Sequence, residues 1–148
     1  MNERTRHGGL RVLCMLAVVC ALAIAGCGRA GPETIAVHGR VTFGGGPCPG
    51  GGTVYFTPVA VAEGMPLRPA VGDFAADGHF DVTSFADGDG LIPGEYSVRI
   101  VCWKNRPQGY DQPGENAVPR DFKPENLLIE SGTRGVVRAD YDVPIRPE

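Results

Sequence analysis

Apolar and polar residues alternate one for one along short stretches of this chain, each stretch is bounded by glycine or proline, and no convincing helical period appears beyond residue 26. A period of two is that of a pleated strand with one buried and one wet face. Over residues 34–43, Ile35, Val37, Val41 and Phe43 oppose Thr34, His38, Arg40 and Thr42. Val54 and Phe56 alternate with Thr53, Tyr55 and Thr57, and Phe80 and Val82 with His79, Asp81 and Thr83. Tyr96, Val98, Ile100 and Cys102 form a fourth inward set, and Val137, Ala139, Tyr141 and Val143 a fifth, read as one strand. Weaker candidates at 70–74 and 127–130 bring the total to about seven. The 22 glycines and 13 prolines approach the level at which disorder competes with folding. Here they punctuate the pattern, at Gly44-Gly45-Gly46, Asp77-Gly78, Asp87-Gly88, Pro93-Gly94 and Ser131-Gly132, where turns require them. Short strands so spaced predict an all-β sandwich of two sheets.

The first 26 residues read differently. Arg4, Arg6, His7 and Arg11 precede an apolar run over residues 12–25, the layout of a secretory signal whose core is too short to span a bilayer comfortably. The run ends Ile24-Ala25-Gly26-Cys27, which resembles the lipobox of bacterial lipoproteins. That resemblance implies cleavage before Cys27, a diacylglycerol on its thiol and an acylated amine. At ~0.8 kcal/mol per buried methylene, two or three acyl chains hold a protein on a membrane almost permanently. Gly28, standing where an inner-membrane retention signal would place Asp, favours the outer membrane. The alternative is ordinary cleavage at Ala23-Ile24-Ala25, with Cys27 merely a small residue nearby.

The expected organisation is therefore a signal at 1–26, a lipidated cysteine with a short tether at 27–33, and a sandwich over 34–148. The 122 residues left after cleavage suit one small domain. They carry 11 basic and 16 acidic side chains, a net charge near −5, which argues against nucleic acid as a partner. Cys14 and Cys20 leave with the signal, so in an oxidising compartment only Cys48 and Cys102 remain to pair.

Four stretches carry a second resemblance. They are Val37-His38-Gly39-Arg40-Val41-Thr42-Phe43-Gly44-Gly45-Gly46-Pro47, Gly52-Thr53-Val54-Tyr55-Phe56, Ala76-Asp77-Gly78-His79-Phe80 and Pro93-Gly94-Glu95-Tyr96-Ser97-Val98. Together with Val118-Pro119-Arg120-Asp121-Phe122-Lys123-Pro124, they are similar to the carboxypeptidase regulatory-like or transthyretin-like sandwich found as small bacterial lipoproteins. The resemblance implies a fold and is nearly silent on activity, because its motifs are turn glycines and strand hydrophobes. Where such domains place an aliphatic residue after the glycine-proline turn, this chain has Cys48. A Cys48–Cys102 disulfide and a pair of unbridged buried thiols are the two readings of that departure.

Catalysis is not expected. Only His38 and His79 follow the signal, both on predicted wet faces, and no His-x-x-Glu or His-Glu-x-x-His pair is present to hold zinc. Ser84, Ser97 and Ser131 have no histidine at motif spacing, and the chain lacks the Tyr-Arg-Gly-Ser ending of the hydroxyisourate-hydrolysing relatives of the fold. Asp87-Gly88-Asp89-Gly90 with Asp77, Asp81 and Glu95 fails EF-hand spacing, since Leu91 and Val98 fall where ligands are needed. No cofactor and no metal are expected. The most suggestive binding segment is a long loop over 103–123 carrying Trp103, Tyr110 and Phe122. Trp103 and Tyr110 could contact an envelope protein or stack on an envelope polysaccharide, while Trp103 could equally cover a sandwich edge beneath its own loop. The expectation is a lipid-anchored, non-enzymatic envelope module that contacts a protein, with carbohydrate binding near Trp103 as the alternative.

Overall fold

The computed structural model describes residues 31–107, 109, 111 and 113–145. Cys27 and Tyr110 lie outside the described residues. Pro32–Glu148 makes up one compact unit, and its described residues contain strands and turns but no helix. In chain order the strands are β1 (Val37–Phe43), β2 (Gly52–Val61), β3 (Ala70–Phe74), β4 (His79–Asp81), β5 (Gly94–Asn105), β6 (Glu115–Asn116), β7 (Leu127–Ile129), β8 (Val137–Arg138) and β9 (Tyr141–Val143).

They form two sheets, as the alternation predicts. In the first, β1 is central, with β4 antiparallel on one side and β8 then β9 parallel to it. The second has the order β3-β2-β5-β6, with β7 also on β5. An isolated bridge between Val71 and Thr83, with N···O distances of 3.1 and 2.8 Å, ties the β3 edge to the segment after β4. The sheets are thus joined on that flank, and their opposite edges are β8/β9 and β6/β7.

Every inward set named from the sequence is at least half-buried. Val37, Val41, Phe43, Val54, Phe56, Phe80, Val82, Tyr96, Val98, Ile100 and Cys102 share one core with Leu91, Ile92, Ile129 and Val143. His38, Arg40, His79, Asp81 and Arg99 stay exposed on the outer faces. Two glycines are required by close approach. A Cβ on Gly39 would meet the Ala139 carbonyl and the Phe80 ring, and one on Gly78, at φ +78°, would meet the Val41 carbonyl.

The strand count differs from the expected seven. The 137–143 segment is two short strands, because after Arg138 the chain leaves the ladder: Ala139 N–H bonds the His38 carbonyl at 2.9 Å, and Asp140 turns its carboxylate back to accept from Arg40 N–H at 3.0 Å. The expected 103–123 loop also contributes structure. β5 runs on to Asn105, and Glu115–Asn116 pairs back onto it.

Tyr96 locks the start of β5. Its hydroxyl is fully buried and donates to the Ile92 carbonyl at 3.0 Å, the arrangement known from immunoglobulin-type sandwiches as a tyrosine corner. Tyr96→Phe leaves that carbonyl without its partner and is expected to cost about 1–3 kcal/mol. Urea unfolding should show a lower midpoint at unchanged slope.

A second tyrosine contributes to stability at alkaline pH. Burial pushes the Tyr141 phenol up to about 12, above its unfolded value near 10. A raised folded pKa means that its contribution is complete below pH ~10 and is lost as pH rises toward 12. Tyr141→Phe should flatten the fall in stability across that window, measured by urea midpoints at stepped pH.

Candidate functional site

The two ends of the sandwich differ. At one end Ile35 and Leu91 exchange backbone hydrogen bonds of 2.7 and 3.0 Å, and Val61 pairs with Gly94. At the other end, a strand-length away along β1, stand Phe43, the 44–51 turn and the far half of β5.

This far end holds an open groove of about 820 Å³. One wall is Phe43, Gly46, Pro47 and Pro49; the second is Asn116, Ala117, Val118 and Pro119; Pro144 and Ile145 close it, with Lys104, Arg120 and Asp121 on the lining. Each wall is fixed by bonds that the local sequence makes available. Cys48 and Cys102 are joined in a disulfide with Cα atoms 6.2 Å apart, and both residues are fully buried. The bridge pins the Pro47–Pro49 wall to β5. The Asn116 carboxamide oxygen accepts from Cys102 N–H at 3.0 Å and Val118 N–H at 3.1 Å, while Ala117 N–H donates to the Cys102 carbonyl at 2.7 Å. Lys104 and Glu115 pair at 3.1 Å on the rim.

The third wall is held by Asp142. Its carboxylate accepts from Gly45 N–H at 3.0 Å and from the Thr42 hydroxyl at 2.7 Å. These bonds, the Gly45 amide first, hold its pKa below the ordinary carboxylate value. Ile145 lies over Gly44, where a Cβ would meet its Cδ1 at 2.9 Å, yet the Ile145 side chain remains largely exposed. The groove is therefore mostly apolar, proline-walled and held by fixed bonds, with charged residues on its lining, which is the character of a recognition site for a largely apolar segment.

Trp103 stands beside this groove rather than in it. The indole is half-buried, and Gly114 is wedged against it: a Cβ there would meet Trp103 Cζ3 at 2.7 Å and Pro107 Cδ at 2.6 Å. Its own loop covers part of the ring.

The histidines and acids fall elsewhere. A polar cleft of about 480 Å³ is lined by His38, Asp73, His79, Asp81 and Arg138 over Gly39 and Phe80. His38 Nδ1 sits 3.2 Å from Asp81, and Arg138 pairs with Asp140 at 2.6 Å. Among the described residues, no serine, threonine or cysteine lines the cleft. Among the described residues, no group of three His, Cys, Asp or Glu is placed to hold a metal ion. Asp89 instead caps a turn, accepting from Ser84, Phe85 and Ala86 N–H at 2.8–3.3 Å; Asp77 accepts from His79 N–H, and Glu95 from Asn126. Ser84 donates its hydroxyl to the Gly90 carbonyl.

Fold and site together define an all-β sandwich with a stapled apolar groove at one end. Comparison of the chain with protein-family models, with curated proteins and with solved structures finds no match. Sequence reasoning reached the two cysteines but missed Phe43, Val118 and Ile145 as neighbours. The available signal was Ile145 itself, an aliphatic residue set beside Pro144 two positions after the last strand.

Proposed function

We propose that this protein is a lipid-anchored, non-enzymatic envelope module that binds an apolar segment of a partner protein in the groove of Phe43, Val118 and Ile145. The carrying observation is that three walls drawn from distant parts of the chain are each fixed by a disulfide or side-chain hydrogen bonds. A groove held open in advance avoids the ordering cost that binding otherwise imposes. The anchor reading rests on the lipobox resemblance at Cys27, and the sandwich agrees with the carboxypeptidase regulatory-like resemblance in class.

A photo-crosslinking residue replacing Ile145 should capture one dominant envelope protein, and the same probe replacing Thr57 on the outer sheet face should capture none. Equal, diffuse crosslinking from both positions would contradict the groove. The carbohydrate alternative requires a free aromatic face. Added envelope glycans should leave Trp103 fluorescence unchanged, because Gly114 already lies against part of the half-buried indole.

A further inference from the structure

Six large hydrophobic side chains of the described residues are exposed, and five of them gather toward one end of the sandwich: Val59, Leu67, Phe85, Leu128 and Val136, between 37 and 68% accessible. Leu67 lies on the loop after β2, Phe85 on the loop before β5 and Val136 on the loop before β8. All three loops leave strands at the level where Val61 meets Gly94, Ile129 meets Gly94, and Val37 meets Val137. Val59 and Leu128 flank them on the outer face of the second sheet. This is the same end at which Ile35 is bonded to Leu91, and so the end at which the tether joins the domain.

Tether length converts that coincidence into a position. Ile35 stands eight positions after Cys27. At full extension they reach roughly 26–29 Å, and as a flexible chain about 15 Å. An acylated Cys27 therefore keeps this apolar end within the tether's reach of the bilayer surface, with the groove at the opposite end, roughly 20 Å away along β1.

We infer that the Leu67, Phe85 and Val136 loops seat in the headgroup–acyl boundary of the membrane that carries the anchor, so that the groove faces away from it. The inference rests on the lipoprotein reading of Cys27. Side-chain chemistry fits an interfacial seat: the Arg68 guanidinium lies 4.7 Å from the Phe85 ring centroid, pairing an apolar body with a cation at headgroup level. Asp89, the acid nearest that loop's core, is occupied by three backbone N–H groups. Glu63, Asp87, Asp89 and Glu130 outnumber Arg68 and Arg134 in the same loops. The exposed hydrophobes therefore carry the contact, and the acidic balance does not select anionic lipid.

With Cys27 acylated and Cys48 bonded to Cys102, a single introduced cysteine is the sole free thiol. Full-length protein extracted from membranes as L67C or I145C would be labelled with an environment-sensitive fluorophore and reconstituted into phosphatidylcholine vesicles, with or without brominated acyl chains. The expected result is a blue-shifted L67C probe quenched at least twofold by brominated lipid, and an I145C probe left unquenched. Equal quenching at both positions, or at neither, in a preparation whose mass includes acyl chains overturns the seat and leaves the anchor standing. A mass without acyl chains overturns the anchor, and the seat with it.

Discussion

Phe56→Ala should lower stability by about 3–5 kcal/mol and the melting temperature by roughly 10–20 °C. Phe56 is fully buried where the two sheets meet, and its ring lies 6.3 Å from that of Phe80 at an interplanar angle of 42°. Gly39 and Gly72 both lie close against Phe80, so a Cβ on either would strike its ring. The cluster thus has no loose neighbour able to collapse into the space left by the lost ring. Its cost should fall at the upper end of the range for such truncations. Chemical denaturation read by the fluorescence of Trp103, which sits outside that cluster, gives the difference directly, and a loss below about 1 kcal/mol would mean that the core repacks.

Loss of the Cys48–Cys102 bridge is the second large effect. The bridged residues are separated by 54 positions, and closing a loop of that size in the unfolded chain corresponds to about 4 kcal/mol, with 2–4 kcal/mol typical in practice. Cys48→Ala with Cys102→Ala avoids burying a hydroxyl and isolates the bridge. The groove should suffer more than the core, because Cys48 holds the Pro47–Pro49 wall while the strands keep their own ladders. The double variant is expected to unfold at lower urea and to lose crosslinking from position 145 under conditions where it remains folded. If crosslinking persists at full yield, the wall does not depend on the staple.

Much of the fold could be read from residue order alone, because a strand with one wet face records its burial in every second position. Val54-Tyr55-Phe56 and Tyr96-Ser97-Val98 illustrate this, with burial alternating as the polarity does. Where burial is incomplete the record fades. Glu115–Asn116 is exposed on both residues and pairs with β5 through its backbone, so no side-chain pattern announces it. The break after Arg138 is likewise decided by Asp140 competing for Arg40 N–H, which periodicity does not express.

The groove was the least legible feature for a related reason. Its walls come from the 43–49 turn, the 116–121 segment and the 144–145 end, all of them loop or strand terminus. Each is polar or proline-rich in sequence and becomes a wall only through long-range bonds from Cys48, Asn116 and Asp142. The polar pattern of the outer face, by contrast, marked His38 and His79 as wet, and both are exposed. Gathering of the exposed hydrophobes at the tether end was equally hidden, since Leu67, Phe85 and Val136 stand alone in three separate loops.

The proposed protein is a disulfide-stapled sandwich carried on a membrane by Cys27. Intact mass of the native protein extracted from membranes, taken before and after reduction and thiol alkylation, tests it most directly. The expected species spans residues 27–148 plus acyl groups, with two alkylation events that appear only after reduction. A soluble species without acyl mass, or two thiols alkylated without reductant, would contradict it.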